Sequence, residues 1–476
     1  MGATDFATGH LCTIIPILAF AVVASMCLDA YGEEYCPESH RTVSFEAPER
    51  VGAPTATGTA CIWYADGSDT LRKPVIIMDG FDPGDMRDHT GIRQVAGEDM
   101  LAILQSEGYD LVILNFDIGA GYIQDDAHIL RELLKWAGEE SEEDAVVIGT
   151  SLGGVVSRYA LAQMENLGEA HNTRLFISFD APHLGAVVPL GNQYFVKYAS
   201  GLNPLLKYYL ESQIYSVAAK QRVLYHEAHS PGTAGRMDTV YNKTIYINGP
   251  QPDPLFKEFQ TELDSIGWPK NLRMVAISNG DGHGMSQGFE DGGQLIEYEL
   301  HSPLLNITEN SYAIRSGEAG YIIFEGKIDP AGPPDHRFKV YVKNAIPYDN
   351  APGGWKVTSK LLEGDAGCLY IDNQCTIDLG IITANVEHEN YVPTHSALGI
   401  DLSRLDNDPF ANINAAYMND TSITPFDKIY YPRGNQEHVL ITPENKKWFL
   451  CEIFTDNPEA YERYCLCDAT AKTEQP

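Results

Sequence analysis

The chain has 476 residues, 44% of them hydrophobic, which is length for one large domain carrying insertions or for roughly three smaller ones. Its 66 acidic residues against 33 basic ones leave a formal net charge of −33, so its summed field repels phosphate backbones and anionic lipid headgroups. That excludes a sequence-independent nucleic-acid binder, and with only 21% of residues charged the apolar content also argues against disorder.

The apolar run Leu11 to Ala24 is too short for a comfortable membrane span and suits the h-region of a secretory signal peptide. Residues 1–32 are read as that signal, with the remainder exported to a secreted or cell-envelope, periplasm-like location and no stable membrane span. In an exported chain, bridges from Cys36 to Cys61, Cys368 to Cys375, and Cys451 to Cys465 or Cys467 are expected.

From residue 33 to 185, short apolar runs alternate with helical patterns. Pro74–Met78, Leu111–Leu114, Ala145–Ile148 and Leu175–Phe179, joined later by Met274–Ile277, are apolar on both faces, as buried parallel strands are. Helical spacing spans Asp125–Ala137 and Val155–Glu165, so the expected fold class is α/β, a doubly wound, mostly parallel sheet. Asp79, Asp82, Asp85, Asp88 and His89 crowd one loop. Acidic loops are common in so acidic a chain, and neither a metal nor an organic cofactor is called for.

The sharpest motif is Gly149-Thr-Ser151-Leu-Gly153, directly after the strand AVVI and before the helix-patterned VVSRYALAQM. A strand-to-helix turn this tight forces Ser151 into strained backbone geometry and lifts its hydroxyl above the sheet. There the helix N-terminus and the N–H of Leu152 favour a developing oxyanion.

Two interruptions follow. Residues 186–268 hold an aromatic-rich helical stretch, Tyr194 to Tyr225, read as a cap or lid whose aromatics either line an acyl site or pack the cap itself. Residues 269–289 return a core strand, and 290–385 alternate apolar and polar residues as a small antiparallel β insertion would. Residues 386–476 complete the core.

The segments VIIMDGFDPG, LVILNFD, VVIGTSLGG, LFISFDAPHLGA, MVAISNGDG, YVPTHSAL and NQEHVLIT together resemble the α/β-hydrolase superfamily. Within it the likeness is to lipase- and esterase-like members, glycosylphosphatidylinositol-inositol deacylase-like proteins and bacterial triacylglycerol lipases. The resemblance implies a Ser–acid–His chain order and a second oxyanion donor from an HGF-like triplet, here Asp79-Gly80-Phe81, which nominates the Phe81 amide. It nominates His438 as base, in the loop before the last helical pattern, Pro443–Phe454. His183 is read as shaping the Asp180-Ala-Pro-His183 turn. For the acid, Glu389 occupies the place where related lipases carry Asp, with Asp281 after the strand MVAISNG as the alternative and Asp427 as a third candidate. His395 would be the base if Asp281 were the acid.

These residues imply an exported serine carboxylic-ester hydrolase acting through an acyl-serine on a small-molecule or lipid ester. An amidase or peptidase on the same triad, or a non-catalytic surface binding protein, would share parts of this pattern.

Overall fold

Residues buried on both sides of a strand need a covering layer on each face, and the apolar runs obtain it in an eight-stranded sheet. In this computed structural model the strands are β1 (Arg41–Glu46), β2 (Thr57–Trp63), β3 (Val75–Met78), β4 (Leu111–Phe116), β5 (Ala145–Thr150), β6 (Thr173–Phe179), β7 (Arg273–Ile277) and β8 (Lys428–Tyr430). Their order is β1-β2-β4-β3-β5-β6-β7-β8. The β1–β2 and β2–β4 pairs are antiparallel, and every other pair is parallel. The structure describes Cys36 and residues 39–466 apart from 51–53, 66, 68, 201–203, 231, 236–238, 240, 304, 318, 331–333, 366–367, 372–373 and 379; side chains at 204–205 and 365–379 are also not described. The expected signal segment, Cys467 and the side chains of Cys368 and Cys375 lie outside the described residues.

Helices α1 (His89–Val95) and α2 (Glu98–Ser106) cover one face, and α3 (Ile123–Glu140) and α4 (Leu152–Leu167) the other. Helix α6 (Pro254–Ile266) joins the α3/α4 side and α7 (Pro443–Ile453) the α1/α2 side. Ile76, Val147 and Phe176 point to one layer and Ile77, Ile148 and Ile177 to the other, the two-residue period of a strand turned into two cores. Each such fully buried side chain contributes roughly 1.5–3 kcal/mol. The doubly wound, mostly parallel sheet expected from the apolar runs is present.

A second eight-stranded sheet stands beside it, with Gln294–His301, Leu305–Tyr312, Tyr321–Pro330 and His336–Lys343 as its antiparallel centre. Asn242–Asn248 joins it parallel to His336–Lys343, and Gly232–Ala234 follows at the edge, so residues 186–268 supply strands as well as helices. Helix α5 (Leu190–Ala199) lies on this sheet, its Tyr194 and Tyr198 packed against Phe338 and Phe324. Those aromatics fill the core of the β unit.

A short ribbon matters most for the site. Strand Gly353–Lys356 pairs antiparallel with Glu389–Pro393 and brings the chain back from the second sheet to the carboxyl edge of the first. Disulfides join Cys36 to Cys61 and Cys451 to Cys465. Among the described residues no helix is long and apolar enough to cross a membrane.

Candidate active site

β5 ends at Thr150 and α4 begins at Leu152, leaving Ser151 alone in the turn with φ 52° and ψ −126°. Such a backbone costs a non-glycine residue about 1–3 kcal/mol and persists only where its surroundings hold it. Here the Ser151 N–H donates to the Phe179 carbonyl at 2.8 Å. Space is made by glycines: a Cβ on Gly149 would strike the Gly154 backbone, one on Gly153 the Asp79 carbonyl, and one on Gly80 the side chain of Ser151 itself. The motif's glycines are therefore required by contact.

His438 sits in the loop between β8 and α7, and that loop is tied down along its length. Its N–H donates to the Trp355 carbonyl at 2.8 Å, Gln436 N–H donates to Asn279 O at 2.8 Å, and Asn279 Nδ2 donates to Leu440 O at 3.0 Å. Thr442 and Asn445 then close a reciprocal capping box that starts α7. Held this way, His438 Nε2 lies 2.8 Å from Ser151 Oγ, and Nδ1 lies 2.7 Å from Asp180 Oδ2. A carboxylate only accepts, so Nδ1 carries the proton and Nε2 offers its lone pair to the serine hydroxyl. Burial pushes the His438 pKa below the ordinary imidazole value; the Asp180 hydrogen bond and charge pull the other way, and the balance leaves a neutral base at neutral pH.

The carboxylate on His438 is thus Asp180, immediately after β6, and none of the three acids expected from the sequence. Asp180 has φ 47°, and its Oδ1 accepts from Asn279 N–H at 3.0 Å and Ser278 Oγ at 3.3 Å. Glu389 is buried but accepts from Thr358 Oγ1 at 2.8 Å and from the Ser359 amide and hydroxyl, which turns it away from the imidazole. Asp281 accepts from His283 N–H, Met285 N–H and Gly434 N–H at 2.7–2.9 Å, tying two loops together. Asp427 accepts from Met274 N–H at 2.8 Å. His395 Nδ1 meets the Ile400 carbonyl, and His183 Nε2 meets Ser178 Oγ at 2.7 Å. One signal in the sequence did point to Asp180: it directly follows the buried strand next to that of Ser151, at the edge where parallel sheets gather their chemistry. Its Asp-Ala-Pro context reads equally well as a turn.

Leu152, first residue of α4, has no intrahelical acceptor for its N–H. The Phe81 N–H makes no backbone hydrogen bond among the described residues, while its carbonyl accepts from Arg87 at 2.7 Å. Asp79, standing where an HGF-like triplet has His, is buried; its Oδ1 accepts from Gly80 N–H at 2.7 Å and its Oδ2 lies 3.2 Å from Arg87 Nε. Burial raises its pKa to about 6 despite that arginine. Asp88 caps α1, Asp85 accepts from Asn115, and His89 Nε2 meets Thr59 O, so the acidic loop is held by internal bonds.

A cavity of about 250 Å³ opens onto Ser151, lined by Phe81, Leu152, Val188, Tyr209, Ile214 and Tyr391 among others. Most of its wall is apolar. Lys356 and Arg222 also border it.

The sheet order, the strained serine turn and the late histidine are the α/β-hydrolase arrangement that the sequence resembles. Residues 127–228, which include Ser151 and Asp180, match the family described as "Putative serine esterase (DUF676)". No curated protein sequence is detectably similar to the chain. Among solved structures, Est1E from Butyrivibrio proteoclasticus is similar at 14% identity and TM-score 0.22, over 29% of this chain and 51% of that one. A hyperthermophilic esterase from the archaeon Pyrobaculum calidifontis is similar at 13% identity and TM-score 0.25, over 54% and 80%. The Bacillus licheniformis lipase BlEst2 in mature form is similar at 15% and 0.24, over 51% and 72%. The chain thus spans about half the length of the first of these, and at such scores the neighbours carry no argument about substrate.

Proposed function

We propose that the chain is a serine-dependent carboxylic-ester hydrolase with Ser151 as nucleophile, His438 as general base and then acid, and Asp180 as the carboxylate that orients the imidazole. The single observation behind this reading is the continuous hydrogen-bonded line from Ser151 Oγ through His438 to Asp180 at 2.8 and 2.7 Å. As His438 Nε2 removes the hydroxyl proton, Ser151 Oγ bonds to the ester carbonyl carbon and the carbonyl oxygen becomes an anion. The amides of Leu152 and Phe81 receive that charge. Collapse breaks the bond to the alcohol, which leaves with the proton from His438; water, deprotonated by the same imidazole, then releases the acid and restores Ser151. The apolar cavity suits the acyl or alcohol portion of a small-molecule or lipid ester.

Ser151→Ala is the direct test. Hydrolysis of short 4-nitrophenyl esters should fall by about 10⁴-fold or more with unchanged thermal unfolding; equal turnover in both proteins would refute the assignment. Because the base must be neutral and burial lowers its pKa, kcat/KM should hold down to about pH 6.5 and fall only below it. Export belongs to the same reading, supported by the apolar run Leu11–Ala24 and by the two disulfides. Its test is recovery from the culture medium of protein lacking residues 1–32 after expression of the whole chain.

A further inference from the structure

Among the described residues, many of the molecule's cations are spent on carboxylates, several of them buried. Arg50 pairs with Asp125, Arg131 with Glu169, Lys197 with Glu227, and Arg273 and Lys428 with Glu452. In a chain with twice as many acids as bases this is the expected outcome. Lys356, at the active site, pairs with none. It is half-buried, borders the cavity that opens onto Ser151, and its ammonium forms no hydrogen bond or ion pair among the described residues. Its ammonium lies 4.5 Å from the centroid of the Tyr391 ring, which also lines the cavity.

The groups around it do not neutralise it. Asp79, Asp82 and Glu437 attract it from beyond ion-pair distance, and Arg87 repels it. Arg87 takes up Asp79 at 3.2 Å and Asp82 at 4.0 Å, and the Arg87 N–H donates to Asp82 at 2.8 Å. Arg222, the other cation bordering the cavity, donates to the Gln260 amide oxygen at 3.1 and 3.2 Å. Enclosure lowers the Lys356 pKa to about 8, so it is still a cation at neutral pH. An enclosed ammonium with free donors, in a mostly apolar wall, is a site for one anionic oxygen group.

Resting on the hydrolase reading above, we propose that Lys356 binds an anionic group, a carboxylate or a phosphate, carried by the ester substrate, so that the enzyme prefers negatively charged esters to neutral ones of equal length. The segment that bears it, Gly353–Lys356, also gives His438 its backbone acceptor at Trp355. The ribbon therefore delivers a selectivity residue along with part of the catalytic frame.

The experiment compares kcat/KM for matched ester pairs. The acyl-side pair is the 4-nitrophenyl monoester of adipic acid against 4-nitrophenyl hexanoate. The alcohol-side pair is a 1-acylglycerol 3-phosphate against the same 1-acylglycerol. The whole chain should favour the charged member of one pair by about tenfold or more, as a charge-assisted hydrogen bond in an enclosed site does. Lys356→Met should bring that ratio to about one, and Lys356→Arg should retain a clear preference. The ratio does not depend on how much protein is folded, so a variant that folds poorly still reports. A ratio near one in both pairs for the unaltered protein, or a ratio unchanged in Lys356→Met, overturns the proposal and leaves the hydrolase reading standing. Failure to cleave any of the four esters overturns both.

Discussion

Asp180 at the end of β6 and Glu309 within Leu305–Tyr312 are both fully buried, yet they meet opposite surroundings. Asp180 accepts from His438, Ser278 and Asn279. Neither oxygen of Glu309 has a hydrogen-bond partner among the described residues, and burial alone pushes its pKa well above the carboxylate range. The difference lies in where each strand leaves them. At the carboxyl edge of a parallel sheet, loops end and their unpaired N–H groups and side chains converge on a common point. On the inner face of an antiparallel sheet the neighbouring backbone donors are already spent in the ladder, so a carboxyl there stays protonated. The first sheet surrounds its buried Asp180 with partners, and the second leaves Glu309 without any among the described residues.

The largest effect expected from this contrast is at Asp180. Asp180→Asn should cut kcat by about 10⁴-fold, because the amide no longer fixes the His438 tautomer. Glu389→Gln should change kcat by less than about tenfold and instead lower stability by about 1–3 kcal/mol through its bonds to Thr358 and Ser359. The reverse outcome in rate assays and thermal unfolding would restore Glu389 as the acid. Next comes Gly354→Ala: a Cβ there would overlap the Asp180 carboxylate, so a loss of about 10²-fold in kcat is expected while the elbow stays intact. An unaltered kcat would mean that the ribbon does not bear on the triad. The smallest effect is at Glu309. In the folded chain this group keeps its proton where the unfolded chain loses it, so stability falls as pH rises above the unfolded pKa of about 4.3. Glu309→Gln should remove that dependence, raising Tm by about 2 °C at pH 8 and by little near pH 4. No gain at pH 8 would show that Glu309 finds a partner in solution.

Much of this was legible in the residues. β3 to β7 and helices α3 and α4 follow from apolar period and length, and Ser151 follows from glycines placed at a strand-to-helix junction. His438 was legible from its place before the last helix. The acid was not, because Asp180, Asp281 and Asp427 all stand beside buried strands in turn-like contexts while Glu389 begins a strand of its own, and the one cue for Asp180 reads equally well as a turn. The cap aromatics were ambiguous for the same reason: Tyr194 and Tyr198 have helical spacing whether they meet a ligand or the rings of Phe324 and Phe338.

The sequence by itself determined which segments become the central strands and helices and where the reactive hydroxyl is lifted out of them. Both depend on interactions within a few residues: side-chain periodicity, and the steric freedom of glycine at a tight turn. Only the tertiary structure decided which carboxylate meets the imidazole and which lysine faces the cavity. The His438–Asp180 bond joins residues 258 positions apart, and Lys356 reaches the site through a ribbon pairing between 353–356 and 389–393. A hydrogen bond is selective to tenths of an ångström, and over such separations that precision comes from packing whole layers against one another.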